Sequence, residues 1–189
     1  MMKMSATGAN GGIQYRSHLN TARGGSIENP LGNPFPAGVH TVAEATAAGI
    51  TGGNPWQISG YQYDMSSANN YTGQLYEGQG RGIVNAPGGI VQLLPGRQTV
   101  RLGTVIADPA SAVKPHLGFD GEWNQIEIIA RGNTLIHMIN GQVLTVSIDD
   151  SPADRAYQGI LSLQLESSGQ IWYRNVYVKQ LEKPLELPK

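Results

Sequence analysis

Two short turns of glycine and asparagine constrain the fold more than any other feature of the sequence. Gly132-Asn133 and Asn140-Gly141 separate three runs rich in apolar residues, Trp123 to Ala130, Thr134 to Ile139 and Gln142 to Ile148. Both turn residue types tolerate the positive φ angles of two-residue hairpin loops. The three runs are therefore predicted to be neighbouring strands of an antiparallel meander.

Strand-like segments bounded by turn residues fill much of the remaining chain. They are Gly11 to His18, Pro55 to Met65, Gly73 to Glu77, Gly82 to Val84, Gln98 to Ile106, Gly159 to Leu165 and Gln170 to Gln180. No helical run is long enough to carry a motif, and 189 residues suit a single sandwich domain. We predict an all-β fold, an antiparallel β-sandwich with its domain at residues 10–181 and a C-terminal tail at 182–189.

A long loop interrupts this pattern between Asn20 and Asn54, where Gly, Pro, Asn and Thr are frequent. Within it, only Val42 to Ala48 favours a short helical turn. Loops of this length inside a compact domain are usually functional or disordered. We predict a lid or rim beside a binding face, with a plain surface insertion as the alternative.

Composition and charge exclude several classes of function. The chain has no cysteine, so disulfides, thiolate nucleophiles and cysteine-bound metals are ruled out. Its net charge of −1 gives no signature of nucleic-acid or anionic-membrane binding, and no apolar run is long enough for a membrane span. The N-terminus as written lacks the apolar stretch of a signal peptide, which predicts a cytoplasmic protein. A neutral, polar small molecule is the expected partner.

Alternation along two predicted strands groups polar side chains on one face. Gln14, Arg16 and His18 alternate with apolar residues, and Gln62 and Asp64 do the same in a later strand. Such a face is most often simply solvated. These side chains are chemically varied, however, and lie on strands, where positions are more precise than on loops. A solvated face and a hydroxyl-binding face are equally compatible with this pattern.

Three groups of segments, in this order and spacing, match a known family. The first is Asn10 to Ser17. The second comprises Gly60 to Asp64, Thr72 to Tyr76 and Gly80 to Gly82. The third comprises Trp123-Asn124, Asn140-Gly141, Asp149, Gly159 to Gln164 and Arg174-Asn175. Together they resemble the 3-keto-disaccharide hydrolase family, whose fold is a concanavalin-like jelly roll.

The resemblance implies a carbohydrate-active enzyme that cleaves 3-keto-glycosides, by C2 proton abstraction and elimination followed by hydration. It implies catalytic roles for Asp64 as the base, Tyr76 as a proton donor and His18 as a secondary acid–base group. It implies substrate binding by a further set of side chains: Gln14, Arg16, Gln62, Arg81 and Trp172.

Two departures from the family pattern matter. Family members usually carry strands before the segment that begins here at Asn10, so the sandwich is expected to be N-terminally incomplete, with open edges. If the true N-terminus is missing, the protein is periplasmic or exported. The family also often has His at the position of Glu166. If that His takes part in binding or catalysis, the chemistry of this chain is altered.

Structural alternatives accompany each of these assignments. Asp64 could form an ion pair with Arg16 or Arg81, Trp172 could pack in the core, and His137 is predicted to be structural. No cofactor and no metal site are predicted, because no spacing singles one out, and a divalent metal stays an open alternative. A non-catalytic carbohydrate-binding module is the alternative function. The sequence leaves the oligomeric state undetermined.

Overall fold

A computed structural model describes residues 1–19, 58–78, 80–109 and 123–181 of the chain. Within these ranges the protein is nearly all β, with one short 3-10 turn at Pro95–Arg97. The strands are β1 (Met2–Met4), β2 (Asn10–Leu19), β3 (Ile58–Ser66), β4 (Leu75–Gly78), β5 (Gly82–Asn85), β6 (Gly89–Leu94), β7 (Gln98–Thr104), β8 (Ile126–Arg131), β9 (Thr134–Ile139), β10 (Gln142–Asp149), β11 (Ile160–Leu165) and β12 (Ile171–Tyr173).

Two five-stranded sheets form a sandwich, as the sequence predicted. The front sheet has the order β11-β2-β3-β4-β5, and its neighbouring strands are all antiparallel. The back sheet has the order β7-β6-β10-β9-β8, in which β10 and β6 run parallel. A small antiparallel ribbon of β1 and β12 lies beside them.

The core lies between the sheets and is formed by the inward-facing side chains of both. One cluster joins Tyr63 and Met65 of the front sheet to Ile139 and Leu144 of the back sheet. A second cluster contains Tyr15, Tyr61, Leu75, Val84, Val91, Leu93 and Leu135. Three tyrosines on two adjacent strands therefore supply much of the bulk that holds the sheets together.

His137 lies within this core and is structural, as predicted. Its Nδ1 is 3.1 Å from the Gly73 carbonyl, which can only accept, so Nδ1 carries the proton. Its Nε2 then accepts a hydrogen bond from the Tyr15 hydroxyl at 2.8 Å. Thr145 donates to the same Gly73 carbonyl at 3.0 Å. Burial lowers the pKa of His137 to about 4, so the ring is neutral at neutral pH.

The predicted meander is present, with β9 at its predicted bounds. Asn140 and Gly141 both have positive φ, 49° and 79°, as a primed two-residue turn requires. The prediction missed two strands, β1 and β6. It also extended the last strand to Gln180, whereas β12 ends at Tyr173. β1 is only three residues long, and periodicity cannot identify so short a strand.

A β-bulge in β2 overturns part of the predicted face. Tyr15 pairs with Tyr61, but His18 pairs with Ser59, so two residues of β2 oppose one of β3. Arg16 lies in this bulge at φ 47°. The extra residue resets the alternation, so Arg16 and His18 do not share a face with Gln14. The prediction that all three face the same way was wrong for this reason.

β11 forms one edge of the front sheet and leaves apolar side chains uncovered. Leu163 pairs with the inward-facing Ile13, yet Leu161, Leu163 and Leu165 are between 50% and 56% exposed. Charged residues usually protect an edge strand from pairing with another chain. The segment Ile160–Leu165 contains none. β11 is therefore an apolar edge of the sandwich.

Several predictions concern residues outside the described ranges. The loop from Asn20 to Asn54, its helical turn at Val42 to Ala48 and the tail at 182–189 all lie there. In the part of the chain that the structure describes, no helix has the length and apolar character needed to cross a membrane.

Candidate functional site

The outer face of the front sheet carries a cross-strand row of polar side chains. Gln14 on β2 is opposite Gln62 on β3, and Gln62 is opposite Tyr76 on β4. Directly paired residues of antiparallel strands project from the same face. Three of the side chains predicted from the sequence therefore lie in one row, with Ser162 of β11 beside Gln14.

A second row runs beside the first and contains Asp64. Gln164 on β11 is opposite Gly12 on β2, and Gly12 is opposite Asp64 on β3. A Cβ at Gly12 would lie 2.4 Å from the Tyr63 carbonyl oxygen and 2.8 Å from Nε2 of Gln62. Because Gly12 has no side chain, the Gln62 amide crosses β2 and donates to Oε1 of Gln164 at 2.9 Å.

Asp64 is nearly buried and is surrounded by amides. Its Oδ1 accepts from Nε2 of Gln62 at 3.1 Å and from the Met65 amide at 2.9 Å, and its Oδ2 accepts from Nε2 of Gln74 at 2.7 Å. Burial raises the pKa of Asp64 above its ordinary value, although the three hydrogen bonds oppose the rise; the negative charge of Glu166 adds to it.

Glu166 and Tyr71 complete this outer cluster. Nε2 of Gln164 donates to Oε2 of Glu166 at 3.2 Å, which links Glu166 to the row that contains Asp64. Burial raises the pKa of Tyr71, and the charges of Asp64 and Glu166 raise it further. Tyr71 therefore experiences the charge of both carboxylates and is neutral at neutral pH. We name these side chains the outer-face cluster: Gln14, Gln62, Asp64, Tyr71, Gln74, Tyr76, Gln164 and Glu166.

Arg81 does not belong to the outer-face cluster. Its guanidinium binds both oxygens of Asp149, at 2.5 Å and 3.1 Å, and Nε of Arg81 donates to Glu77. Tyr61 donates to Oδ2 of Asp149 at 2.6 Å. The interpretation that Asp64 pairs with Arg81 was therefore wrong. Burial alone would raise the pKa of Asp149, but hydrogen bonds from Arg81 and Tyr61 lower it below its usual range.

Arg16 and His18 also lie away from Asp64. The Arg16 guanidinium donates to the carbonyl oxygens of Gly132 at 2.7 Å, Ala130 at 2.8 Å and Ala156 at 3.1 Å, so its role here is to link the sheets. Burial lowers the pKa of His18, while the nearby Glu77 opposes that change. The alternative ion pair between Asp64 and Arg16 was likewise wrong.

Trp172 lies in the β1–β12 ribbon rather than in the front sheet. Nζ of Lys3 is 4.7 Å from the centre of the Trp172 ring and 5.6 Å from that of Trp123. Arg174 stacks on Trp123 at 4.0 Å. Trp172 therefore makes its cation–π contact within the ribbon. Of the predicted sugar-binding residues, the outer face brings together only Gln14 and Gln62.

Sequence reasoning missed four members of the outer-face cluster as site residues. Gln74 and Gln164 lie inside the family-like segments but were given no role, and Glu166 was noted only as a departure. Tyr71 precedes the motif that begins at Thr72 and carried no signal. In residues 1–19, 58–78, 80–109 and 123–181, no three His, Asp or Glu side chains form a potential metal site. The expectation of no cofactor stays a prediction.

The comparison with known families agrees with the motifs and the fold. A family whose description is "3-keto-alpha-glucoside-1,2-lyase-like domain" matches residues 1–179. No curated protein sequence matches the chain. The match spans both sheets and every residue of the outer-face cluster, and it confirms the resemblance inferred from the motifs. The chain therefore belongs to the 3-keto-alpha-glucoside-1,2-lyase-like domain family, which is a carbohydrate-active family.

Proposed function

We propose that this protein cleaves the glycosidic bond of 3-keto-glycosides by C2 proton abstraction and elimination, followed by hydration. The observation that carries the proposal is the environment of Asp64. This carboxylate lies on the polar outer face, burial raises its pKa, and its hydrogen-bond partners among the described residues are amides rather than cations. A carboxylate without a counter-charge is a stronger base than one in an ion pair.

Asp64 acts in the first step as the general base. The ketone at C3 acidifies the proton at C2, which transfers to a carboxylate oxygen of Asp64. The electron pair of the broken C–H bond moves into a C2–C3 double bond, and negative charge develops on the C3 oxygen. Neutral donors on the same face, the amides of Gln14 and Gln62, stabilise this enolate oxygen.

The second step expels the group at C1. The C3 carbonyl re-forms, the electron pair makes a C1–C2 double bond, and the C1–O bond to the leaving group breaks. Tyr76, in the same row as Gln62, donates the proton that the leaving oxygen takes up. Water then adds its oxygen to C1 and a proton to C2, which completes a net hydrolysis. Arg16, Arg81 and His18 have no part in this scheme, because their contacts lie elsewhere.

The test is release of a chromogenic leaving group from a 3-keto-glucoside by purified protein. Asp64→Asn should lower the rate on the order of 10²–10⁴-fold, the usual contribution of a general base. Glu127→Gln is the matched control, since Glu127 is an exposed carboxylate on the back sheet. The unoxidised glucoside should not react with either protein. No release by folded wild-type protein would refute the proposal.

A carbohydrate-binding module without catalysis is the second candidate. The observation that favours it is the predominance of glutamine amides in the outer-face cluster, because amides bind hydroxyl groups without acid–base chemistry. Calorimetry with the same 3-keto-glucoside distinguishes the two functions. Binding without product, and with similar affinity in the Asp64→Asn variant, would support the module and exclude the enzyme.

A further inference from the structure

Two carboxylates of the outer-face cluster are joined by a chain of hydrogen bonds. Starting from β11, Glu166 accepts from Gln164 at 3.2 Å, Gln164 accepts from Gln62 at 2.9 Å, and Gln62 donates also to Asp64 at 3.1 Å. The chain spans β11, β2 and β3, and it crosses β2 at Gly12, where no side chain intervenes.

The carboxylates at the two ends, Glu166 and Asp64, set the donor and acceptor of every hydrogen bond in this series. An ionised carboxylate only accepts hydrogen bonds, so Gln164 must turn its NH₂ group toward Glu166. Its carbonyl oxygen is then presented to Gln62, whose NH₂ group has two protons. One proton serves Gln164 and the other serves Asp64. Asp64 orients the Gln62 amide from one end, and Glu166 orients the Gln164 amide from the other, so removing the Glu166 carboxylate removes one of the two constraints on the series.

Among the residues that the structure describes, the groups around Asp64 come from three elements. β2 contributes Gly12 and Gln14, which carry none, and the connection from β3 to β4 contributes Gln74 and the neutral Tyr71. The negative charge that acts on Asp64 is that of Glu166. Glu166 itself is exposed, so it can be replaced without disturbing the core.

We propose that Glu166 is a positioning residue for Asp64. Glu166 orients the Asp64 carboxylate through Gln164 and Gln62, and it places its own negative charge near that carboxylate. A catalytic effect of Glu166 depends on the proposed function, in which Asp64 is the base. A like charge across the face disfavours the ionised form of Asp64 and so strengthens it as a proton acceptor.

Titration of Asp64 by NMR tests this without requiring turnover. The protein is labelled with ¹³C at its aspartate carboxyl groups, and the Asp64 signal is identified by its loss in Asp64→Asn. All solutions contain EDTA, so that the titration reports the side chains alone. Glu166→Gln should move the Asp64 midpoint to lower pH by roughly half a unit, the effect of one like charge near a partly solvated group. The control Glu127→Gln should leave it unchanged.

Gln164→Leu separates orientation from charge. It breaks the chain of hydrogen bonds but keeps the Glu166 carboxylate, so the Asp64 midpoint should move less than in Glu166→Gln. In a turnover assay, the acid limb of kcat/KM against pH should shift with the NMR midpoint in Glu166→Gln. Gln164→Leu should instead lower kcat at every pH.

The outcomes distinguish this proposal from the proposed function. An unchanged Asp64 midpoint in Glu166→Gln overturns the positioning role, whether or not the keto substrate is cleaved. A shifted midpoint in a protein that releases no leaving group supports the coupling of the two carboxylates and refutes the proposed reaction. A shifted midpoint together with an equally shifted acid limb supports both.

Discussion

Asp64 and Asp149 are both nearly buried, yet the protein moves their pKa values in opposite directions. Asp149 lies where the sheets meet and shares two hydrogen bonds with the Arg81 guanidinium, which lower its pKa. Asp64 lies on the outer face among neutral amides, and burial raises its pKa. Burial penalises the charge of both carboxylates, so the counter-charge decides the direction of each change.

The comparison separates a structural carboxylate from the one that we propose as the general base. At Asp149, the bidentate pair with Arg81 and the hydroxyl of Tyr61 satisfy the charge within the fold. At Asp64, the hydrogen bonds from described residues come from neutral amides, which orient the carboxylate without neutralising it. An ionised carboxylate without a neighbouring positive charge can accept a proton from a substrate. A carboxylate in an ion pair is a weaker proton acceptor.

The largest expected effect comes from removing the counter-charge. Arg81→Met should lower the free energy of unfolding by about 3–5 kcal/mol, because it removes the guanidinium charge that Asp149 and Glu77 share in the interior. Urea unfolding monitored by tryptophan fluorescence measures the change. Arg101→Met, on the exposed strand β7, is the control and should change stability by less than about 0.5 kcal/mol. A loss below about 1 kcal/mol in Arg81→Met would contradict the conclusion that the Arg81 charge stabilises the buried Asp149 carboxylate.

Acid should destabilise the protein through His137, a buried group that is neutral in the folded state. Its folded-state pKa of about 4 lies below the ordinary value of 6.5, so the unfolded chain binds the proton first. Stability from this group is complete above pH 6.5 and is lost as the pH falls toward 4, on the order of 3 kcal/mol in total. Unfolding measured at several pH values should show this loss.

His137→Asn supplies the control for that titration. The variant is expected to be less stable at pH 7, because it disrupts the contacts to Tyr15 and Gly73. Its stability should change less than that of the wild type between pH 6.5 and 4. Equal slopes in the two proteins would show that another group causes the acid sensitivity.

Closing the gap at Gly12 should disturb the outer face more than the core. Gly12→Ala places a methyl group within 3 Å of the Tyr63 carbonyl and the Gln62 amide, which should cost about 1–3 kcal/mol of stability. It should also displace Gln62 from Gln164 and reduce turnover of the 3-keto substrate. Full activity in a destabilised Gly12→Ala protein would remove Gln62 from the proposed site.

The smallest expected effect concerns Asp64 itself. Because its folded-state pKa is raised, ionisation of Asp64 opposes folding at neutral pH, and this cost disappears as the pH falls below 3.8. Asp64→Asn should therefore gain stability relative to the wild type as the pH rises from 3.5 to 7. Asp149→Asn should lose stability relative to the wild type over the same range. Matching trends in the two variants would contradict the comparison.

Alternation along the strands predicted part of the site and failed at specific places. Gln14, Gln62 and Asp64 lie on one face, as their spacing indicated, because β3 and this part of β2 are regular. Arg16 and His18 do not, because the bulge in β2 depends on contacts that no local pattern reveals. The two-residue alternation of a strand therefore predicts which face a side chain occupies only up to the next β-bulge.

Contacts between residues far apart in the sequence were the second feature that could not be predicted. The sequence could not assign Arg81 to Asp149, since the two are 68 residues apart and meet only when the sheets pack. Glu166 and Gln164 joined the outer-face cluster because β11 pairs with β2, a connection across most of the chain. The fold class could be predicted from local turn chemistry, whereas charge compensation depends on the tertiary structure.

Gly73 connects the interior to the outer face. Its carbonyl is bound by His137 and Thr145 of the back sheet, and its N–H donates to the Asp64 carbonyl oxygen at 2.8 Å. Gln74, the next residue, donates to the Asp64 side chain. Under the proposed function, substitutions of His137 and Thr145 should therefore lower turnover, although both side chains are buried in the core. Hydrogen exchange at the Gly73 amide would report such damage before the fold itself opens.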